Sequence, residues 1–359
     1  MNTIPSTFSE QLPPYTLLGT AEHDTISCIS AVVLNRAERI GRRAFFDDIA
    51  KCGFDMIVSI ENGEDAAGIE EILNSFNNIK FLLIHDNVST GAKINAAANE
   101  IKSPLFFVFW DDQRLSGIKA ERIHERLVKP AAAGNSGSSC YKRLCTVPVI
   151  QNQAMETIPT MNFPVAGKKL FECAPLIPEY DDFPTLYPFD GAGIYDRERF
   201  IALGGFDGIL QAPYWQYLDF GLRAWLWGEE IRCDKPVRLC ATKSLVPENS
   251  TTGLSYLRFF LKNLAPVFVK NEKKADLEAI AAADFENETL EGSPEYGQNN
   301  EKNGMAHIPF ACFFPFALKS RLAFKASWHL FLETRRWVKD NSTRFTTDSR
   351  SLFKNWLKH

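Results

Sequence analysis

The sequence predicts an α/β fold, with a mostly parallel β-sheet flanked by helices. Short, continuously apolar runs alternate with helix-like segments from Ile26 to Trp110, and β-branched and aromatic residues are concentrated in those runs. Continuous apolar runs are typical of strands whose two sheet faces are both covered by helices. With 45% hydrophobic residues in a chain of 359, there is enough apolar material for one large core or two modest ones.

The predicted elements follow one another in a regular βαβ order. The apolar runs predict strands at residues 26–34, 56–60, 80–84 and 105–109, and the segments between them predict helices at 41–52, 67–76 and 90–101. In an open sheet of this type, ligands bind beyond the carboxyl ends of the strands. The residues directly after each run are therefore the first candidates for a functional site.

Polar residues follow all four apolar runs. The residues at these ends are Asn35-Arg36, Glu61-Asn62-Gly63-Glu64-Asp65, His85-Asp86-Asn87 and Trp110-Asp111-Asp112-Gln113. Carboxylates at such positions can accept hydrogen bonds from a base or a ribose, or hold a divalent cation against phosphates. The preference of Asp, Asn and Gly for turns explains any one of these loops equally well. Four such loops at one sheet edge favour a binding site.

Composition and motif spacing exclude several classes of protein. A net charge of −4 gives no global electrostatic basis for binding nucleic acid, and no stretch approaches the roughly 20 apolar residues of a membrane span. No GxGxxG follows the first predicted strand and no GxxxxGK[ST] occurs, so neither a Rossmann pyrophosphate turn nor a P-loop is predicted. The eight cysteines form no CxxC pair, which indicates reduced structural thiols rather than a zinc site. The N-terminus lacks a secretory signal pattern, so we expect a cytoplasmic protein.

Charge and composition predict five regions. They are an N-terminal extension at 1–24, an α/β domain at 25–245, a helical segment at 246–270, an acidic linker or loop at 271–301 and a basic, aromatic, helical region at 302–359. The last region has eleven Lys and Arg against three acids. Such a segment either lies against an anionic membrane surface or packs on the rest of the chain or on a second subunit.

Four segments carry a pattern of spaced motifs. They are 61–65, 87–95 with Asn87, Gly91 and Asn95, 106–112 with its terminal acids, and 190–225, which includes Gly204-Gly205-Phe206-Asp207 and the Asp219/Arg223 pair. Together these motifs resemble the family 2 inverting glycosyltransferases, which have the Rossmann-like GT-A fold and use nucleotide-diphosphate sugars. The resemblance runs from about Ile26 to Leu239.

The resemblance implies a donor site and a metal site. The donor-binding residues it indicates are Asn35, Glu61, Asn62, Lys93, Asn95 and Asp111. It also implies Mg²⁺ or Mn²⁺ held by Asp111 and Asp112, of which either one can stand in register with the Asp-x-Asp motif of the family.

The resemblance leaves the general base open, because the Glu-Asp pair of the family falls on Gln216-Tyr217. Asp219, expected at the start of a helix, is the first candidate for the base, and a helix cap or an i,i+4 ion pair with Arg223 is the alternative. Asp190 is the second candidate, and it could equally bind sugar hydroxyls. Tyr214 and Trp215 are expected to stack on the acceptor sugar, or else to pack in the core.

The function that follows is transfer of a sugar, with inversion, from a nucleotide-diphosphate donor to a hydroxyl of a glycan or glycolipid. We expect this in cell-envelope polysaccharide or lipopolysaccharide synthesis, in the cytoplasm at the inner face of the membrane. One alternative is a non-catalytic GT-A fold that binds glycans or assembles with other proteins. Another is a sugar-phosphate nucleotidyltransferase, which would carry a Gly-rich loop after the first strand, where 35–43 has one glycine.

Overall fold

The computed structural model describes residues 8–19, 29–36, 42–63, 68–115, 117, 119–128, 141, 143–166, 171–226, 229–245, 247–251 and 253–263. The chain divides into two units, Met1–Pro164 with Cys173–Phe259, and Val165–Glu172 with Phe260–His359. Every site residue described below belongs to the first unit. The predicted acidic linker at 271–301 and the basic region at 302–359 lie outside the described residues.

The described residues form strands and helices whose bounds are as follows. The strands are β1 (Tyr15–Leu18), β2 (Ile29–Leu34), β3 (Ile57–Asn62), β4 (Ile79–Ile84), β5 (Leu105–Trp110), β6 (Gln113–Leu115), β7 (Cys145–Gln151), β8 (Met161–Ala166), β9 (Phe171–Leu176), β10 (Gly193–Asp196) and β11 (Ile231–Ala241). The helices are α1 (Arg42–Ala50), α2 (Ile69–Ser75), α3 (Thr90–Glu100), α4 (Ala120–Leu127), α5 (Arg197–Ala202), α6 (Pro213–Leu226) and α7 (Leu254–Asn263).

In the part of the chain that the structure describes, nine strands form one large sheet, in the order β1-β4-β3-β2-β5-β10-β7-β11-β6. Strands β4, β3, β2 and β5 are mutually parallel, and β7 and β11 run in the same direction, while β1, β10 and β6 run against it. The prediction of an α/β fold with a mostly parallel sheet is therefore confirmed.

The predicted strands match β2 to β5, and the predicted helices match α1 to α3, to within a few residues at each end. Every residue of β2 is buried, as its continuous apolar run indicates. The start of α6 differs from the prediction, because the helix begins at Pro213 and Asp219 therefore lies in its middle. Proline is a favourable first helical residue, since its missing N–H needs no partner there.

Strand register brings distant segments to one edge of the sheet. Leu34 of β2 pairs with Trp110 of β5, so the residues that follow these two parallel strands are neighbours. Strand β10 runs antiparallel to β5, with Gly193 opposite Val108. The residues that precede β10 therefore arrive at the carboxyl end of β5.

Among the described residues, no helix combines the length and the apolar character that a membrane crossing requires.

Candidate active site

Arg36 joins three carboxylates at the carboxyl ends of β2 and β5. Its backbone N–H donates to Asp111 Oδ1 at 3.0 Å, its Nε donates to Asp112 Oδ2 at 2.8 Å, and its Nη1 donates to Asp190 Oδ2. Burial opposes the charge of Arg36, but the bond to Asp112 and the charge of Asp190 raise its pKa. The Arg36 side chain is 30% exposed, so part of it faces solvent.

Trp110 contacts both the Arg36 guanidinium and the backbone of Asp190. The Arg36 guanidinium carbon lies 4.3 Å from the centre of the Trp110 ring, within the range of a cation–π contact. The indole Nε1 donates to the backbone oxygen of Asp190 at 3.0 Å. One aromatic residue therefore fixes both the guanidinium and the loop that carries Asp190.

Asp190 sits in an unusual backbone and electrostatic environment. Its φ of 55° is in the left-handed region, which Asp tolerates better than most residues. Burial raises the pKa of its carboxyl to about 6, although the Arg36 charge lowers it. The charge of Asp112 adds to the rise. Asp190 is thus a partly buried acid whose ionised form is stabilised by Arg36.

Glu248 reaches the same edge from the segment after β11. Its Oε1 accepts from the Asp190 backbone N–H at 3.2 Å, and its Oε2 accepts from the Tyr187 hydroxyl at 2.7 Å. Burial raises the pKa of Glu248 to about 7, against the lowering effect of these two hydrogen bonds. Both the N–H and the hydroxyl of Thr242, just after β11, donate to the Asp112 carbonyl at 2.8 Å.

The adjoining strand end of β3 carries a second polar group. Glu61 is buried and accepts hydrogen bonds from Arg42 and, at 2.9 Å, from Ser59. Lys93 Nζ donates to Asn62 Oδ1 at 3.3 Å. Burial lowers the pKa of Lys93, while the charge of Glu61 opposes that shift.

Asn35 lies between the two polar groups, since it follows β2 directly. Its Nδ2 donates to the backbone oxygen of Ile60 in β3 at 2.9 Å. The structure thus brings together six residues that the sequence indicated, namely Asn35, Glu61, Asn62, Lys93, Asp111 and Asp112, and places Asp190 beside the last two.

Asp219 lies away from this edge, inside the protein. Its carboxylate is fully buried and accepts from Arg223 Nε at 2.9 Å. The same guanidinium donates to the backbone oxygens of Leu203 at 2.7 Å and Gly205 at 2.6 Å. This placement is the i,i+4 ion pair that the sequence offered as the alternative to a catalytic role.

Asn95 is likewise buried away from the strand ends. Its side chain donates to the Phe206 carbonyl at 2.8 Å and accepts from the Phe206 N–H at 2.9 Å. It therefore ties α3 to the Gly204-Gly205-Phe206-Asp207 turn, rather than facing the group around Arg36.

Tyr214 and Trp215 are 7% and 3% exposed. The Trp215 ring lies 4.8 Å from that of Tyr256 and 5.3 Å from that of Phe259, and its Nε1 donates to the Thr251 carbonyl at 3.0 Å. Packing of this kind leaves little ring surface for a sugar.

Gln216 and Tyr217 carry no carboxyl group, and Gln216 is fully buried. The Gln216 side chain donates to Ser89 Oγ at 2.7 Å and accepts from the Gly91 N–H at 2.8 Å. A Cβ on Gly91 would overlap this side chain, which explains glycine there. Gln216 therefore holds the start of α3 against α6.

Three residues of this edge, Arg36, Arg42 and Glu248, are not among the site residues that the resemblance implies. Arg36 and Arg42 stand after or just beyond the first predicted strand, and that position is the only signal that could have identified them. Glu248 has no such signal, because its segment shows neither a motif nor a periodic pattern.

Few of the described side chains at this edge could bind a metal ion. Within the residues that the structure describes, no three His, Cys, Asp or Glu side chains are grouped so that they could hold a metal ion. Among the described residues, the buried Asp112 Oδ1 has no hydrogen-bond partner. It is an acceptor placed where a cation could satisfy it.

No family model and no curated protein matches this sequence. Among solved structures, the chain is similar to GalNAc-T7 crystallised with UDP, GalNAc and Mn²⁺, with a TM-score of 0.50 and 14% identity over 87% of this chain. The chain spans 57% of the length of that protein. It also resembles S. aureus TarS, at 13% identity and a TM-score of 0.44, over 73% of this chain and 43% of that one. The similarity to GalNAc-T7 shows a shared fold, the GT-A fold.

Proposed function

We propose that this chain is a glycosyltransferase that moves a sugar from a nucleotide-diphosphate donor to a hydroxyl group, with inversion. The observation that carries the proposal is the meeting of Arg36 with Asp111, Asp112 and Asp190 at the carboxyl edge of a GT-A sheet. Ligands of open α/β sheets bind at this edge. GalNAc-T7, whose fold this chain shares, was solved with UDP and GalNAc.

The donor diphosphate is proposed to lie against Arg36. A guanidinium makes charge-assisted, often bidentate hydrogen bonds to phosphate oxygens. Trp110, Asp112 and Asp190 hold this group in one orientation before any ligand arrives. The nucleoside would then lie along the ends of β2 and β3, where Asn35, Asn62 and Lys93 present polar atoms.

A divalent ion fits this site if the protein and the phosphates of the sugar donor coordinate it together. Asp112 Oδ1 supplies one protein ligand and Asp111 is its neighbour, and Mg²⁺ commonly takes one or two carboxylates together with substrate phosphates. When bound, Mg²⁺ or Mn²⁺ would stabilise the negative charge of the leaving diphosphate. The Mn²⁺ in the GalNAc-T7 structure supports this proposal.

The acceptor hydroxyl needs a carboxylate that takes its proton as the new bond forms. Of the two sequence candidates, Asp190 lies at the site, whereas Asp219 is committed to Arg223. For the acceptor we propose a glycan or a lipid-linked sugar of the cell envelope, reached at the inner face of a membrane. The basic, aromatic region at 302–359 supports that choice.

The experiment that tests the function is a thermal-shift measurement with UDP and GDP, with and without MnCl₂. A ligand that binds the native state raises the apparent Tm. We expect one diphosphate to raise the Tm of the wild type, Mn²⁺ to increase the shift, and Asp112→Asn to abolish that increase.

Asp234→Asn is the matched control. The Asp234 side chain is as buried as that of Asp112, at 8% exposure for both, and it also pairs with an arginine, Arg126. It lies in the amino-terminal half of β11, away from the segment that reaches the site. A wild type that responds to neither diphosphate would contradict the proposed function.

A further inference from the structure

The Asp190 and Glu248 carboxylates are close enough to influence each other's charge, but they have different partners. Asp190 is ion-paired with Arg36, while Glu248 accepts its hydrogen bonds from the Asp190 backbone and from the uncharged Tyr187 hydroxyl. Among the described contacts of Glu248 there is no cation. Asp190 is therefore paired with a cation, whereas Glu248 has none among its described contacts.

The oxygens of Glu248 keep the capacity to accept a proton. Each carboxylate oxygen has two acceptor positions, and each Glu248 oxygen receives one described donor. Burial raises the pKa of Tyr187 well above its usual value, so its hydroxyl keeps its proton and remains a donor. Two hydrogen bonds therefore orient the Glu248 carboxylate, and no cation among its described contacts neutralises its charge.

We propose that Glu248 is the general base of the transfer, and that Asp190 acts on the donor side by holding Arg36. This assignment rests on the proposed glycosyltransferase function. The acceptor O–H bond breaks and its proton passes to the Glu248 carboxylate as the acceptor oxygen bonds to the anomeric carbon. The bond from that carbon to the diphosphate breaks, and its electron pair leaves with the diphosphate, whose charge Arg36 stabilises.

The electrostatic surroundings support this division of roles. A general base is most effective when its pKa is near the working pH, and burial raises the pKa of Glu248 to about 7. Among the described residues, the titratable groups that interact with it are Asp190, Tyr187 and Tyr217, and Arg36 pairs with Asp190. A pair of acids with different environments is a common basis for separate catalytic roles.

The test compares Glu248→Gln with Asp190→Asn in full-length protein. Turnover is measured as release of nucleoside diphosphate from UDP-glucose, UDP-N-acetylglucosamine, UDP-N-acetylgalactosamine and GDP-mannose, with water as the acceptor. We expect Glu248→Gln to lower kcat by about 10²- to 10⁴-fold with the Kd for UDP unchanged. Asp190→Asn should instead raise the Kd for UDP, because Arg36 loses an anchor.

The pH profile separates catalysis from a structural role. In the wild type, kcat/KM should rise with pH through a midpoint of about 7, where Glu248 loses its proton, and this limb should disappear in Glu248→Gln. Glu248→Asp keeps a carboxylate and should retain part of the rate. Glu100→Gln is the matched control, since Glu100 also accepts a hydrogen bond from a tyrosine hydroxyl, that of Tyr15 at 2.5 Å. Glu100 is the last residue of α3, whereas the first residues of that helix are the ones near the site.

Three outcomes are distinct. Loss of turnover and of the pH limb in Glu248→Gln, with UDP binding and the Tm of a folded protein retained, supports the assignment. Turnover that Glu248→Gln leaves intact, or a pH limb that persists in it, overturns the assignment alone. A wild type that binds no diphosphate and turns over no donor overturns the proposed function and the assignment with it.

Discussion

Arg36 Nε lies 2.8 Å from Asp112 Oδ2, although 76 positions of the chain separate the two residues. The contact exists because β2 and β5 are parallel neighbours with Leu34 opposite Trp110. An anion that reaches this edge therefore meets a guanidinium that is already oriented.

Arg36→Ala should raise the Kd for UDP by tenfold or more. A hydrogen bond to a charged group contributes about 1.5–3 kcal/mol, and about 1.4 kcal/mol corresponds to a factor of ten. Isothermal titration calorimetry measures the change. Arg126→Ala is the control, because Arg126 also pairs with a buried aspartate, Asp234, outside the site. Equal losses of UDP affinity in the two variants would contradict the role of Arg36.

Asp219→Asn should lower stability but leave the site working. The Asp219–Arg223 pair is buried, and removal of one partner of such a pair typically costs about 3–5 kcal/mol. Chemical denaturation should show a lower free energy of unfolding. Donor turnover per folded molecule should stay at the wild-type level. Loss of turnover in a variant of unchanged stability would restore Asp219 as the base.

Glu248 should make stability depend on pH. Its pKa rises from an ordinary value of 4.5 to about 7 on folding, so between these values the folded state binds the proton more tightly. The stabilisation is complete below pH 4.5 and is lost as the pH rises through about 7. Each unit of difference in pKa corresponds to about 1.4 kcal/mol.

The check is denaturant unfolding of the wild type and of Glu248→Gln across that pH range. The variant should lose the part of the decline that Glu248 causes. Asp190 contributes a decline in the same direction to both proteins, because burial raises its pKa as well. Parallel curves for the two proteins would show that Glu248 does not titrate in this window.

Gly221→Ala should displace Tyr187, whose hydroxyl donates a hydrogen bond to Glu248. A Cβ at this position of α6 would lie 2.8 Å from the Tyr187 Cβ and would overlap the Leu186 carbonyl. Overpacking of this kind typically costs about 1–3 kcal/mol, and displacement of Tyr187 should also lower donor turnover. Gly253→Ala is the control, since no described atom lies within 4 Å of the position that a Cβ would take there. Equal turnover in both variants would show that Tyr187 does not need this packing.

The sheet and half of the site could be predicted from the sequence. Strands β2 to β5 are continuous apolar runs because both faces of the sheet are covered. Asp111 and Asp112 could be predicted as site residues because ligands of such sheets bind at the carboxyl ends of the strands. Asp190 was indicated by resemblance and reaches the edge through the antiparallel entry of β10.

The remaining roles depend on contacts between distant parts of the chain. Glu248 meets Asp190 and Tyr187 across 58 and 61 positions, and its segment has no periodicity that could announce it. The i,i+4 spacing of Asp219 and Arg223 fits a structural ion pair and a catalytic motif equally well. Only burial distinguishes the two, and burial is a property of the folded chain.

The most direct test of the central claim is a crystal structure of the protein with UDP and MnCl₂. We predict that the diphosphate lies at the carboxyl edge of β2 and β5, with a phosphate oxygen within hydrogen-bond distance of the Arg36 guanidinium. UDP bound elsewhere, with Arg36 still closed on Asp112 and Asp190 and out of reach of phosphate, would contradict the account.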